Sequence, residues 1–364
     1  MRNLLGPLLR TTAGALACTT LAALPVLATP AAARTGTQPS PEVTPVFALR
    51  HHAVQRGGFV RAANASLSCR ASEASACQAA RAGRAGGSAD FDMAYVDVDN
   101  DPRTYNSSRA EVRVPEGGRV TYARLYWGGN PLAGEQKPPR DNGRVLVAGP
   151  GGTYEEVLAD TVEGHRVADG ANAFQASADV TRLVRQSGSG LYTVAQVSIA
   201  TGRPAAGAWG GWTLVVAYEN PAEPLRELAL WDGLDSLDTP VDVRLAGMRV
   251  PAGAGGRVGL VAYAGDRGSV GETFTLSVGP RRTPVALHDS VNPQDDVLNS
   301  TISEPGDVPV RRIPDYANTL GYDSDMFDLG RALRRGGDQP GFRLVSHADA
   351  AWAGALFAAV DTRE

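Results

Sequence analysis

Three aspartates at alternate positions form the densest group of side chains able to do chemistry. Asp97, Asp99 and Asp101 occupy every second position, and in an extended segment such side chains lie on one side of the backbone. Their carboxylates repel one another unless a cation lies among them, and calcium takes about six to eight oxygen ligands of this kind. The segment is not an EF-hand, because Pro102 replaces the turn glycine and Ser108 the closing glutamate. We therefore predict a calcium site, with a solvated acidic loop as the alternative.

A second acidic group consists of Asp323, Asp325 and Asp328, at the start of a helical pattern over 326–335. On a turn that leads into a helix, Asp323 and Asp325 would share a cation while Asp328 caps the helix. The alternative is that the three carboxylates only cap the helix and offset its dipole. Asp323 and Asp325 join the first group as predicted calcium ligands.

Catalytic patterns are absent from the sequence. No serine or cysteine lies at a known spacing from a histidine and a carboxylate, and there is no Gly-x-Ser-x-Gly elbow. We therefore assign no catalytic residue and expect a protein that is not an enzyme. The alternative is an extracellular polysaccharide hydrolase, which needs two carboxylates on opposite sides of a glycosidic bond. Its candidate acid and base are drawn from Asp97, Asp99, Asp232, Asp323 and Asp325.

Three tryptophans flank glycines and are candidates for a ligand platform. Trp127 precedes two glycines, and Trp209 and Trp212 enclose two more. A ring beside glycine can form a flat surface for a sugar. The alternative is that glycine lets the ring pack against the backbone of a neighbouring strand.

The first 33 residues have the pattern of a signal peptide. A short segment with Arg2 and Arg10 precedes an apolar stretch, and small residues follow at 31–33. Residues 34–46 are rich in Thr, Pro and Ser and are predicted to be a flexible lead-in. No later run is long enough to span a membrane. We therefore expect a secreted, extracellular protein that is retained at the cell surface or released.

The cysteines and the charge agree with export. Two cysteines remain after the leader, Cys69 and Cys77, and an isolated pair in an exported chain predicts a disulfide. The mature chain carries a net charge of roughly −6, since the leader removes two arginines from a chain of net charge −4. This acidity argues against nucleic acid, which attracts basic surfaces.

Short strands bounded by Gly, Pro, Asp or Asn recur along the chain. The alternation of charged and apolar residues at 109–114 is typical of a sheet with one wet face. Only 178–185 and 326–335 have helical periodicity. We predict an all-β fold of one large or two tandem β-sandwich, jelly-roll-like units with one or two short helices. A polar, proline-containing stretch at 219–224 marks a seam between units at 47–220 and 221–364, unless the two form one continuous domain.

Several short motifs follow one another in order, at 95–99, 106–108, 123–128, 178–181, 210–218, 232–233, 299–302 and 318–323. The series resembles an uncharacterised, β-rich N-terminal module of large secreted or surface proteins of actinobacterial type. In longer relatives this module often precedes Ig-like repeats. The resemblance implies a surface location, and it implies no activity or catalytic residue.

These observations together predict a secreted, calcium-stabilised β-sandwich module for binding or structure at the cell surface. Its ligand would be a cell-wall glycan or a surface protein.

Overall fold

The computed structural model describes residues 47–363, except 71–73, 100, 134, 169, 280–282, 307–310 and 348–349. The predicted signal peptide and lead-in lie outside the described residues. Thr44–Glu364 form one compact unit. Within the described ranges, no helix is long and apolar enough to cross a membrane.

Strands dominate the chain. The first twelve are β1 (Phe47–Ala65), β2 (Leu67–Cys69), β3 (Met93–Tyr95), β4 (Ser107–Val112), β5 (Arg119–Gly129), β6 (Leu132–Ala133), β7 (Glu135–Gln136), β8 (Arg144–Ala148), β9 (Glu155–Leu158), β10 (Thr161–Ala168), β11 (Ala171–Asp179) and β12 (Gly190–Ala195). The next twelve are β13 (Gly210–Glu219), β14 (Leu225–Ser236), β15 (Val241–Arg244), β16 (Arg249–Val250), β17 (Gly256–Tyr263), β18 (Glu272–Val278), β19 (Val285–Ala286), β20 (Arg312–Ile313), β21 (Tyr322–Asp328), β22 (Gly337–Asp338), β23 (Pro340–Ser346) and β24 (Trp352–Asp361). The α-helices are α1 (Ala74–Arg81), α2 (Thr181–Ser187) and α3 (Gly330–Leu333).

The long first strand belongs to two halves of one sheet. Residues 47–56 of β1 pair antiparallel with β14, and residues 57–65 pair antiparallel with β13. The change of partner falls at Gly57, which has a φ of +130°. A Cβ at Gly57 would lie 2.1 Å from the Tyr218 carbonyl oxygen, so only glycine fits this crossing.

The full sheet has nine strands in the order β10-β11-β5-β13-β1-β14-β24-β17-β21. We call the strands from β10 to residues 57–65 of β1 the first half-sheet. Residues 47–56 of β1 and the strands from β14 to β21 form the second half-sheet.

Each half-sheet packs against a smaller sheet through its own apolar core. The first half-sheet faces the five-stranded sheet β20-β4-β12-β8-β9, with Trp127, Trp212 and Tyr192 in the shared core. The second faces the four-stranded sheet β15-β23-β18-β19, with Phe274 and Phe342 between them. This arrangement confirms the predicted all-β sandwich class.

A third core joins the two half-sheets face to face. It contains Phe59 and Tyr126 from the first half-sheet, and Tyr263 and Phe357 from the second. Alternate residues of the central strands therefore face two different cores, so these strands are buried on both sides. The loop at 220–224, where we predicted a seam, connects β13 to β14, and both of these strands pair with β1.

The helical predictions are partly correct. α2 (Thr181–Ser187) overlaps the predicted range 178–185 but begins later and ends later. The predicted helix at 326–335 is wrong over its first residues, because β21 continues to Asp328 and α3 covers only Gly330–Leu333. Met326 and Phe327 are both 2% exposed and belong to different cores, which fits a strand between two apolar layers.

Candidate functional site

The disulfide prediction is confirmed. Cys69 and Cys77 are bonded, with their Cα atoms 5.7 Å apart. The bridge connects β2 to α1, and β2 pairs with β3, the strand that leads into the acidic loop at 97–101. It therefore anchors the base of that loop.

The carboxylates of the acidic loop accept hydrogen bonds from the loop and from residues beside it. Ser107 Oγ donates to Asp97 Oδ1 over 2.7 Å. Asp99 Oδ1 accepts from the Asp101 backbone N–H at 2.9 Å, and Asp99 Oδ2 accepts from the Tyr154 hydroxyl. Partial burial would raise the pKa of Asp99, but these hydrogen bonds lower it below its ordinary value.

Asp101 is satisfied in the same way. Its carboxylate accepts from the Arg103 guanidinium and from the Arg103 backbone N–H, and these bonds lower the pKa of Asp101 to about 2. Hydrogen bonds from the loop and from nearby residues thus offset the repulsion between the carboxylates without a cation, as in the alternative of a solvated loop. Calcium binding at Asp97, Asp99 and Asp101 stays a prediction.

Asp323 and Asp325 lie in the interior of the protein, so their predicted place on a turn before a helix is wrong. They occupy alternate positions of β21, and both are fully buried. The Thr301 N–H donates to Asp323 Oδ1 at 3.0 Å, and the Ser303 N–H and Oγ both donate to Asp325 Oδ1 at 2.8 Å. Burial raises the pKa of Asp325 to about 7, and burial together with the charge of Asp325 raises the pKa of Asp323 well above its ordinary value.

Asp328 follows at the end of the same strand. Its Oδ1 accepts from the Gly330 N–H at 2.8 Å, at the start of α3. The N-cap of α3 is Leu329, so Asp328 lies one residue before the predicted capping position, although its carboxylate still accepts from the first turn of the helix.

The three tryptophans do not form a platform in this structure. Trp127, Trp209 and Trp212 are at most 1% exposed, so none offers a ring face to a ligand. Each indole N–H is satisfied inside: Trp127 donates to the Asn142 carbonyl, Trp209 to the Ala206 carbonyl and Trp212 to Ser108 Oγ. Core packing, the alternative reading of these residues, is what the structure contains.

Sequence reasoning missed a charged cluster between the half-sheets, which we call the inter-sheet clamp. Asp232 on β14 is 5% exposed and accepts two hydrogen bonds from Arg50 Nε, at 2.8 and 3.0 Å. The Tyr126 hydroxyl, on β5, donates to Asp232 Oδ2 at 2.9 Å. Arg124 Nε, also on β5, lies 3.5 Å from the same oxygen. The clamp thus holds the first half-sheet to the second through buried charges.

A β-bulge positions one member of the clamp. In the pairing of β1 with β14, Leu49 lies opposite Trp231 and His51 opposite Leu230, so Arg50 is the extra residue. An extra residue redirects the side chain, here toward Asp232. No periodicity in the sequence marks such a bulge.

A pocket of about 570 Å³ opens between residues of both half-sheets. Its apolar surface comes from Phe59, Met326 and Phe357, and its polar lining includes Tyr218 and Glu223. The Tyr218 hydroxyl donates to the Glu223 carboxylate at 2.9 Å. No sequence pattern predicts this pocket, because its walls come from six strands that are spread along the chain.

Several arginines line the pocket, and they differ in whether an acidic side chain pairs with them. Arg226 donates to Glu223 at 2.7 Å and to Asp361 at 2.9 Å, so its charge is compensated. Arg257 is exposed, and no acidic side chain in the described part of the chain pairs with it. The pocket therefore combines an apolar wall with a cation that is available to a ligand.

The carboxylates proposed for a hydrolase occupy three separate environments. Asp97 and Asp99 lie in the acidic loop, Asp232 lies in the clamp, and Asp323 and Asp325 are buried in β21. None of the five lines the pocket. The hydrolase alternative stays a prediction, and no contact seen here favours it.

Comparisons with known proteins identify no family for this chain. No family model and no curated protein matches it. Among solved structures, it is similar to the major capsid protein P2 of bacteriophage PM2, with 11% identity and a TM-score of 0.19, over 84% of this chain and 98% of that one. It is also similar to the STIV MCP, with 9% identity and a TM-score of 0.19, over 70% and 91% of the two chains. A peptide-N(4)-(N-acetyl-beta-D-glucosaminyl) asparagine amidase gives 10% identity and a TM-score of 0.19, over 84% and 97%. Similarities at this level carry no argument about function.

Loss of the Asp232 charge should destabilise the folded protein. Asp232→Asn removes the buried carboxylate charge that pairs with Arg50 and lies 3.5 Å from Arg124, which also pairs with Asp160, so the free energy of unfolding should fall by about 2–4 kcal/mol. Urea unfolding measures this loss. The matched control is Asp242→Asn, whose 2.9 Å pair with Arg343 is about half exposed on both sides and should be worth less than about 1 kcal/mol. Equal losses of unfolding free energy in the two variants would show that the clamp stabilises the protein no more than an exposed ion pair does.

Proposed function

We propose that this chain is a secreted ligand-binding module of the cell surface, and that it binds an acidic sugar unit of a surface polymer in the pocket between the half-sheets. One observation carries the proposal: the pocket places the uncompensated guanidinium of Arg257 beside an apolar wall that includes Phe59 and Phe357. Its volume of about 570 Å³ lies within the usual range of ligand sites, roughly 300–1,000 Å³.

The pocket lining favours a ligand that is partly apolar and carries a negative charge. The CH faces of a sugar ring pack on apolar and aromatic surface, while a carboxylate or phosphate on the ring would accept hydrogen bonds from Arg257. Glu223 is already occupied by Tyr218 and Arg226. The pocket lining also contains Arg113, which pairs with Glu111, and Asp328, whose Oδ1 accepts from the Gly330 N–H. Arg257 is the arginine of the lining that is available to the ligand. A neutral sugar would leave that charge without a partner.

The surface location is part of the proposal. The Cys69–Cys77 disulfide supports it, because such bonds persist in oxidising compartments outside the cytosol. We expect the native protein to be recovered outside the cell with its N-terminus near residue 34. Recovery of the uncleaved chain from the cytosol would contradict this part of the proposal.

Binding of a charged sugar tests the function directly. Calorimetric titration of the mature protein with a uronic-acid oligosaccharide should show binding at least about tenfold tighter than with the neutral oligosaccharide of the same length. Arg257→Ala should weaken the acidic ligand about tenfold, since a tenfold change corresponds to roughly 1.4 kcal/mol, within the range of a charge-assisted hydrogen bond.

The control variant is Arg249→Ala, which removes another exposed arginine that does not line the pocket. It should leave the affinity unchanged. Equal affinities for the acidic and neutral oligosaccharides, or an equal loss in both arginine variants, would overturn the assignment of the pocket.

A further inference from the structure

A cluster of oxygen atoms around Thr301 has too few protons for its short contacts. Thr301 Oγ1 lies 2.8 Å from Asn292 Oδ1, 2.8 Å from Asn299 Oδ1 and 3.1 Å from Asp325 Oδ1. All three neighbours are acceptors, and a hydroxyl has one proton to donate. A protonated Asp325 would supply one more proton, which gives two protons for three contacts. At least one of these oxygen–oxygen contacts is therefore not a hydrogen bond.

Reversing the two amides does not remove the shortage. Asn299 Nδ2 donates to the Val291 carbonyl at 2.7 Å, and Asn292 Nδ2 donates to Ser303 Oγ at 2.8 Å while also facing the Asp289 carboxylate. Turning Asn299 would set its oxygen against a carbonyl, and turning Asn292 would set its oxygen against a carboxylate. The amide oxygens therefore point toward Thr301.

The neighbouring aspartates add two oxygens that lack partners. Within the described residues, Asp323 Oδ2 and Asp325 Oδ2 have no hydrogen-bond donor, although both side chains are fully buried. A buried carboxylate oxygen without a donor is costly. Asp323 Oδ2 also approaches the backbone at Gly265, where an added Cβ would lie 2.7 Å from it and 2.1 Å from the Leu298 carbonyl oxygen.

Local charge increases the need for a cation. Glu272 is fully buried and Asp296 is 8% exposed, and the charges of both act on Asp323. Arg61 and Arg312 are basic side chains whose charges interact with Asp325. Arg61 Nη2 donates to the Ser303 carbonyl and to Glu304, and Arg312 Nη2 donates to the Tyr316 carbonyl. Neither arginine is seen to donate a hydrogen bond to Asp323 or Asp325 in the described part of the chain, so the Oδ2 atoms of both aspartates are left without a donor.

We propose that this cluster binds a calcium ion, with Asp323 and Asp325 as charged ligands and the side-chain oxygens of Asn292, Asn299 and Thr301 as neutral ligands. The described residues contain no group of three or more His, Cys, Asp or Glu side chains placed to hold a metal, so neutral oxygens must complete the set. Two carboxylates balance the two charges of the ion, which suits a buried site.

The spacing of the oxygens fits calcium. Calcium binds oxygens at about 2.3–2.6 Å, often in a pentagonal bipyramid, and neighbouring equatorial ligands then lie about 2.8 Å apart. The contacts of Thr301 Oγ1 span 2.8–3.1 Å. Magnesium keeps several waters and requires a tighter octahedron, so a buried all-protein site fits it less well.

The ion would fasten the edge of the nine-stranded sheet. β21 is the last strand, and the chain at 301–303 runs beside it, with the Ser324 N–H bonded to the Thr301 carbonyl and the Met326 N–H to the Ser303 carbonyl. Ligands from both segments around one ion would cross-link this edge. The site does not involve the sugar pocket, so it stands or falls independently of the proposed function.

Calcium binding to the unaltered protein is the primary test. After removal of metal with EDTA and of EDTA by dialysis, calorimetric titration with calcium chloride should give about one ion per chain. Calcium should also raise the midpoint of thermal unfolding by several degrees above that in EDTA, and magnesium at the same concentration should raise it less. Absence of stoichiometric calcium binding would overturn the proposal.

Two pairs of variants locate the ion. Asp323→Asn combined with Asp325→Asn should abolish both the titration and the thermal shift. The comparison variant, Asp97→Asn combined with Asp99→Asn, alters the acidic loop, which is the other calcium site predicted from the sequence, and it should keep the ion at β21 and the thermal shift. If the comparison variant loses calcium and the β21 variant keeps it, the proposal is wrong. If the β21 variant does not fold, the position of the anomalous calcium peak in a crystal of the unaltered protein decides between the two places.

Discussion

The shared pairing of β1 is the constraint on which the rest of the structure depends. One strand serves two half-sheets, and the partner changes at Gly57, where the Tyr218 carbonyl leaves no room for a side chain. This sharing brings the inner faces of the half-sheets together around Phe59 and Phe357, whose rings meet edge to face with centroids 5.6 Å apart. The inner faces are largely apolar, apart from the clamp around Asp232, and each outer face is covered by a smaller sheet.

Stacked sheets also determine where polar chemistry can lie. Strands buried on both sides leave little room for polar groups unless these find partners inside. The clamp around Asp232 satisfies its charges with two arginines and a tyrosine from neighbouring strands. The cluster around Thr301 instead has more acceptor oxygens than hydrogen-bond donors. This excess of oxygens is the reason why we propose an ion there and not at the clamp.

The sequence supported the prediction of the fold class better than that of the site. Alternating runs such as 109–114 indicated strands correctly, and the isolated cysteine pair indicated the disulfide. We did not predict β11, because its small residues, mostly alanine and serine, have low strand propensity. We did not predict β21, because it is rich in aspartate, which is also rare in strands. Both segments are extended because they pair with neighbouring strands, β11 with β5 and β21 with β17, and contribute side chains to the apolar cores. Arg50 and Asp232 are 182 residues apart, so only the folded chain brings them together. The same holds for the walls of the pocket.

Heat-capacity calorimetry of the mature protein tests the central claim, that the sharing of β1 makes the two sandwiches one cooperative unit. The account predicts a single unfolding transition whose calorimetric and van't Hoff enthalpies agree. Two resolved transitions, or a calorimetric enthalpy about twice the van't Hoff value, would mean that the sandwiches unfold separately. In that case β1 would only connect two independent domains, and its shared pairing would not make the two sandwiches one cooperative unit.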